Sequence, residues 1–338
     1  MKQILKNLPM VALWAALFVL LLFLFRGASA IERMFPDFSL RFDDGISGGG
    51  AKAARLYSIG SEGEAGFWPT FWREDRSVAE CDTGSADCTA ITFSGDGALA
   101  WNADFLEGTM PGVADTSGCA LSDGLALSLF GSTGIIGMEV YINEGTWTVR
   151  GVFSEKQAVA LLSAGDENQS VAWHAAELGE SPENADRSAA EDFSFASGLG
   201  YPSTVIEGGI VVFFARLACF LSVAILAVFA IVLLIGRIPR RVRGFAVFGV
   251  CVAVALMLPA LLSQLPGWAI PDMWSDFSHW ASLSERFENG LRDLLGKAPY
   301  LRDVEGKLLL LRQSALCFSS TLCAVAICFS YNTKTSQR

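Results

Sequence analysis

The sequence predicts a multi-pass α-helical membrane protein with four transmembrane helices and a large α+β extracytoplasmic domain. Three observations carry that prediction. Hydrophobic residues make up 52% of the 338, mean hydropathy is +0.40, and only 18% of residues are charged, which is too apolar for an ordinary soluble domain. The apolar residues gather in long runs near the N-terminus and in the last third. A middle rich in Gly, Ser, Asp and Glu separates them. Finally, one very short segment between two runs holds four arginines.

The first run occupies residues 8–26, after a short N-terminal segment of residues 1–7 that carries Lys2 and Lys6. It is long enough to cross a hydrocarbon core of about 30 Å at about 1.5 Å per residue. Ala28-Ser29-Ala30 follows and resembles a signal-peptidase site, so a cleaved signal is the alternative to an anchor. The run exceeds the usual signal core of about 7–15 residues, which favours the anchor. The second run covers residues 209–235 and carries Arg216 near one end. The third covers 244–263, with Pro259 inside it, and the fourth covers 308–331, with Arg312 near its start. Arg216 and Arg312 read as interfacial anchors that snorkel to the headgroup region. Trp268, Trp274 and Trp280, in the 264–307 connection, read as interfacial too.

Charge orients the chain. Residues 236–243, GRIPRRVR, place Arg237, Arg240, Arg241 and Arg243 in one short loop, and short Arg-rich loops stay cytoplasmic. Both termini then lie inside, including the C-terminal residues 332–338, and residues 27–208 lie outside, with a plasma-membrane location. That outer segment holds 28 acidic and 9 basic residues. A formal net charge of −10, with no long basic stretch, argues against nucleic acid as a partner.

The outer segment is large enough for its own core. Cys81 and Cys88 bracket a small polar loop and form the natural disulfide pair if the compartment is oxidising, leaving Cys119 over. Residues 90–93 have strand character, broken by Gly95-Asp96-Gly97. Ser122 is placed to cap a short helix whose Leu125, Ala126 and Leu129 share a face, with Gly131 past its end. Met138, Val140 and Ile142 alternate with Glu139 and Tyr141 as in a half-buried strand. Asn143-Glu144-Gly145 then turns into a second strand over 146–152. Ser154 reads as the cap of a further helix, EKQAVALL. Residues 177–192 are polar and weakly patterned, and read as a flexible loop.

No catalytic constellation is present. His174 and His279 fall in no metal-ligand spacing, Asp43-Asp44 lacks the spaced ligands of a calcium loop, and no glycine loop with a lysine is set to hold a phosphate. The expectation is a protein without cofactor, metal or enzymatic activity of its own. Asn168-Gln169-Ser170 matches a glycosylation triplet, a pattern that chance also produces.

The segment 120–153, ALSDGLALSLFGSTGIIGMEVYINEGTWTVRGVF, carries a more specific pattern. A helix ending in Leu129-Phe130-Gly131 leads to a strand with Gly137, Val140 and Ile142. A hairpin then leads to Val149, Gly151 and Val152. Together with one span before the outer domain and three after it, this resembles the MacB/FtsX-like permeases of ABC transporters and the MacB periplasmic core domain. The resemblance implies a permease-like subunit. It would transmit motion between its outer domain and a separate ATPase or a second permease subunit, in a homo- or heterodimer. Two features depart from the family. Its cytoplasmic docking helix is reduced here to the eight-residue loop and Arg241-Val242-Arg243-Gly244-Phe245, which leaves little surface against the roughly 1,000 Å² of a stable interface. The Arg loop and Phe245 are therefore candidates either for coupling or for contact with anionic lipid. The connection 264–307 is also long, with Met273, Trp274, Phe277, Trp280, Phe287, Leu291, Leu294 and Leu295 at helical spacing. It reads as an amphipathic helix on the membrane surface or against the outer domain. A membrane-anchored sensor or assembly scaffold that reuses the fold is the alternative function, and a membrane-anchored enzyme is a third.

Overall fold

The structure, a computed structural model, describes residues 2–60, 66–165, 172–179, 185–262, 273, 275–296 and 300–336. The chain forms two compact units. One comprises residues 33–209 and 288–304; the other comprises 1–32, 210–287 and 305–338.

The helical unit is built on three helices long and apolar enough to cross a membrane. These are α1 (Lys2–Met34), α6 (Gly208–Arg237) and α9 (Leu301–Ser336). Much of their apolar surface is exposed, as in Val11, Phe18, Phe220 and Phe318. What they bury against one another is narrow and regular. On α1, Leu17, Leu24 and Ile31 recur every seventh residue. On α6, Ala215, Cys219 and Ser222 share a face, and on α9 Gln313, Ser320, Ala324 and Ile327 do so. Small residues let helix backbones approach closely where no hydrophobic force drives association. One amide exploits this closeness. Gln313 Nε2 donates to Leu24 O of α1 at 3.0 Å and to Ala215 O of α6 at 3.4 Å. A Cβ on Gly27 would collide with Gln313 Oε1, so a larger residue there would have to displace the amide from this clasp.

The third predicted span falls on α7 (Arg240–Leu262), a single helix of 23 residues. Between 241 and 256 none of its side chains is buried, and the side chains of 257–262 lie outside the described residues. Three membrane-length helices are thus present among the described residues, and a fourth crossing by α7 belongs to the functional proposal below. The expected Arg loop is shorter still. Only Ile238 and Pro239 separate α6 from α7.

The sheet unit is α+β. Its ten strands run β10-β1-β9-β2-β3-β8-β5-β7-β4, with β6 attached to both β2 and β7 and β4 (Phe105–Gly108) at one edge. The flatter part consists of β1 (Phe38–Ser47), β9 (Ala172–Gly179), β10 (Thr204–Glu207) and the start of β2 (Trp68–Cys81). On one face Phe38, Leu40, Phe71, Ala176 and Leu178 pack under α2 (Gly48–Gly60) and α5 (Arg187–Ala196). The curved part closes on itself. β2 pairs with β3 (Gly84–Ser94), β3 with β8 (Val159–Ser163), β8 with β5 (Gly118–Ser122) and β5 with β7 (Gly145–Phe153). β6 (Glu139–Ile142) then joins β7 back to β2 through two residue pairs. Val140, Ile142, Val149, Leu121 and Leu162 fill this ring, with α4 (Asp123–Phe130) contributing Leu125, Ala126 and Leu129.

Most local expectations around 120–153 hold, except that Met138 precedes β6 and is exposed. Ser122 Oγ accepts from Leu125 N at 3.2 Å, and Gly131 ends α4 in the left-handed region at φ 68°. Asn143 and Glu144 both take positive φ, the backbone of a tight hairpin turn between β6 and β7. Three expectations fail. The run after Ser154 is a strand, β8, and not a helix. Its five residues are all buried, and a short run buried on both faces carries no period that separates strand from helix. Residues 177–192 include the end of β9 and most of α5, with 180–184 outside the described residues. Cys81 and Cys88 are not a disulfide pair. In the β2–β3 hairpin Cys88 faces Ser77 and Cys81 faces Gly84. That offset of four residues is about 13 Å along the strand, against the roughly 7 Å limit between Cα atoms that a disulfide can span. Burial raises the Cys88 thiol to about 11, and it raises Cys119 as well. Asn168-Gln169-Ser170 lies outside the described residues.

The connection 264–307 does contain a helix, α8 (Phe277–Gly296). Phe277, Leu291 and Leu295 are exposed, whereas Gly290 and Leu294 are buried. Phe287 lies against Phe213 and Phe214 in the helical unit, and Asp293 pairs with Arg187 of α5 at 2.7 Å in the sheet unit. The Asp293–Arg187 pair agrees with packing against the outer domain for the end of this helix.

Gly27→Ala should destabilise the helical unit by about 1–3 kcal/mol through overpacking against Gln313. Adding Gln313→Ala should recover part of that loss, since the clashing atom is gone. Thermal unfolding of the single and double variants in detergent checks this, and simple additivity would contradict the clasp.

Candidate functional site: a buried charge hub

β1 alternates two kinds of side chain. Phe38, Leu40 and Phe42 enter the core under α2 and α5, while Ser39 and Arg41 point to the opposite face. In an open sheet that second face would meet water. Here it is buried: Ser39 and Arg41 are 4% and 3% exposed. Glu177, on the neighbouring β9 and paired in register with Ser39, is fully buried.

A buried carboxylate needs partners, and four converge on one oxygen. Glu177 Oε1 accepts from Ser39 Oγ at 2.9 Å, Arg41 Nη1 at 2.8 Å, Trp72 Nε1 at 2.7 Å and Arg302 Nη1. Burial alone would raise the pKa of Glu177. The guanidiniums of Arg302 and Arg41 outweigh burial and hold the carboxyl below its usual range. Trp72 also offers its ring to both cations, with Arg41 Cζ 4.9 Å and Arg302 Cζ 5.6 Å from the ring centroid. Tyr300 meets Trp72 edge-on at 5.3 Å and stacks on His174 at 5.8 Å.

The hub fastens the first turn of α9. Three consecutive residues bind three different strands. The Leu301 amide donates to Glu74 Oε2 of β2 at 2.7 Å, which satisfies one of the open N–H groups of a helix start. Arg302 reaches Glu177 of β9, and Asp303 Oδ1 accepts from Arg41 Nη2 of β1 at 2.9 Å. Burial raises the Glu74 carboxyl above its ordinary value, and the Leu301 amide pulls it back down. Arg302 also donates from Nη2 to Leu99 O at 2.9 Å and to Met34 O, the last residue of α1, at 3.2 Å. α6 begins on the residue after β10. There Gly208 N donates to Asp37 O at 3.0 Å, and a Cβ on Gly208 would lie 1.9 Å from Pro36 O. Within the sheet unit, the ends of all three membrane-length helices are therefore held by the β1–β9–β2–β10 region.

The residues singled out from sequence lie elsewhere. Arg216 is half exposed and forms an ion pair with Glu32 of α1. Arg312 is exposed, Trp280 is 38% exposed, and Trp268 and Trp274 lie outside the described residues. Arg243 closes the α6–α7 turn: its Nη2 donates to Gly236 O at 3.2 Å and Ile238 O at 3.4 Å, as a cation does at a helix C-terminus. Arg241 and Phe245 are exposed, and the side chains of Arg237 and Arg240 lie outside the described residues. None of the hub residues was a sequence candidate. The available signal was a charge inside short apolar strands, Arg41 in FSLRF and Glu177 in AWHAAELG.

Glu177→Gln or Arg302→Ala should cost about 3–5 kcal/mol, because each leaves a buried charge uncompensated. The hub should also respond to acid. A carboxyl whose folded pKa is depressed stabilises fully above its unfolded value, near 4.3, and that stability is lost as pH falls through the folded value. Trp fluorescence should report loosening as pH falls below about 4, and Glu177→Gln should show a flatter response over the same window.

No protein-family model matches the chain, and no curated protein matches it. Two solved structures are similar in shape. The extracellular domain of the noncanonic ABC-type transporter YknZ from Gram-positive bacteria aligns at 14% identity and a TM-score of 0.36, covering 47% of this chain and 90% of that one. The periplasmic region of MacB from Actinobacillus actinomycetemcomitans aligns at 10% identity and a TM-score of 0.41, covering 54% and 93%.

Proposed function

We propose that this chain is a permease-like membrane subunit of a MacB/FtsX-type ABC system, in which displacement of the membrane helices and of the outer domain is exchanged through the Glu177 hub. The observation that carries this reading is the absence of any linker where helix meets sheet. α6 follows β10 directly, residues 35–37 alone separate α1 from β1, and α9 enters through three consecutive tethered residues. The resemblance over 120–153 supports the same reading. In it α7 is a fourth crossing, both termini and the Arg turn are cytoplasmic, and the sheet unit is outside. Any ATP hydrolysis belongs to a partner subunit, and the chain has no enzymatic chemistry of its own.

The second reading, a sensor or assembly scaffold without transport, is favoured by the α6–α7 connection. Two non-helical residues and a turn-closing Arg243 leave, among the described side chains, the exposed Arg241 and Phe245 as a surface for an ATPase. Arginines in that position also suit anionic lipid.

Affinity purification of the full chain in mild detergent should bring down an ATPase or a second permease subunit. Arg240→Ala/Arg241→Ala should lose that partner while cysteine-accessibility mapping shows unchanged topology. A chain that purifies alone, or a variant that only misorients, would favour the scaffold.

A further inference from the structure

Beside the ring of strands, away from the hub residues, the sheet unit holds an open cavity of about 610 Å³. Its walls come from the tip of the β2–β3 hairpin, the end of α4 and β6. The strand pattern decides what it presents. Along β6, Val140 and Ile142 turn into the ring core, so Glu139 and Tyr141 must face outward. Across the ladder Tyr141 stands opposite Glu80. One exposed phenol ring therefore has a carboxylate beside it on its own strand and another on the neighbouring strand. Asp82 adds a third carboxylate at the hairpin tip, and Phe130 and Met138 complete an apolar wall.

The charge on this wall is of one sign. No Lys, Arg or His lines the cavity, and among the described residues Glu80, Asp82 and Glu139 form no ion pair. Like charges so placed repel. The volume lies within the range of about 300–1,000 Å³ for small-ligand sites, where apolar walls bury the body of a ligand and a few polar groups orient it. An aromatic face flanked by carboxylates attracts a weakly hydrated cation through both charge and ring quadrupole.

We propose that this cavity binds a compact amphipathic cation, an ammonium or guanidinium carried on an apolar body. The cationic head lies over Tyr141 between Glu80 and Glu139, and the apolar body lies against Phe130 and Met138. The proposal does not depend on the transport reading, since it concerns the sheet unit alone.

Cys81 lines the same cavity and is half-buried, so it serves as a built-in reporter. The full chain in zwitterionic nanodiscs is treated with iodoacetamide, and modification of Cys81 is followed by peptide mass spectrometry. Benzyltrimethylammonium should slow that modification about tenfold at a concentration roughly ten times its Kd. Benzyl alcohol and benzenesulfonate should not slow it. Protection should vanish in Glu80→Gln/Glu139→Gln and weaken in Tyr141→Ala, all surface changes that leave the ring core intact. Saturation-transfer NMR with the same three probes gives a reading independent of thiol reactivity. Equal protection by the anion or the neutral probe, protection that survives loss of both carboxylates, or no binding of the cation at millimolar concentration would overturn the proposal.

Discussion

A single buried carboxylate sets the terms for the sheet unit. Glu177 has no contact with water, and an isolated charge in that position is prohibitively unstable. It persists because Arg41 and Arg302 neutralise it and Ser39 and Trp72 donate to it. Those four donors come from β1, β2 and the start of α9. Their joint requirement fixes which strands neighbour β9 and forces residues 300–304 onto a face that would otherwise be open. A buried ion cluster is weak evidence for added stability, because matched apolar residues often do as well. It is strong evidence for a specified arrangement, because charges tolerate few alternatives.

That arrangement bears on function through connectivity. α1, α6 and α9 each reach the sheet within a few residues of the hub or of strands it joins. The helical unit has a polar fastening of its own, the Gln313 amide bound to carbonyls of α1 and α6. α9 takes part in each fastening, through Arg302 in the sheet unit and through Gln313 in the helical unit.

The α6–α7 turn works against the proposed engagement of an ATPase. A coupling surface needs side chains to spare, and Arg243 is occupied with the carbonyls of Gly236 and Ile238. For that reason the proposal keeps a partner permease or a purely structural role beside direct engagement of an ATPase.

The sequence by itself determined the features that depend on local chemistry. Apolar length set the membrane-length helices. Ser122 and Gly131 bounded α4, and strict alternation over Val140 and Ile142 set β6. Each rests on contacts between residues a few positions apart. Tertiary structure decided what depends on neighbours distant in the chain. The face of β1 that carries Ser39 and Arg41 is buried by residues 300–304, more than 250 positions later in the chain. β8 read as part of a helix because a strand buried on both faces shows no alternation. Cys81 and Cys88 read as a pair because sequence spacing says nothing of hairpin register, which turns on Gly84 and places the thiols four residues apart. The hub was invisible for the same reason. A charge within a strand means exposure or an ion pair, and only the fold says which.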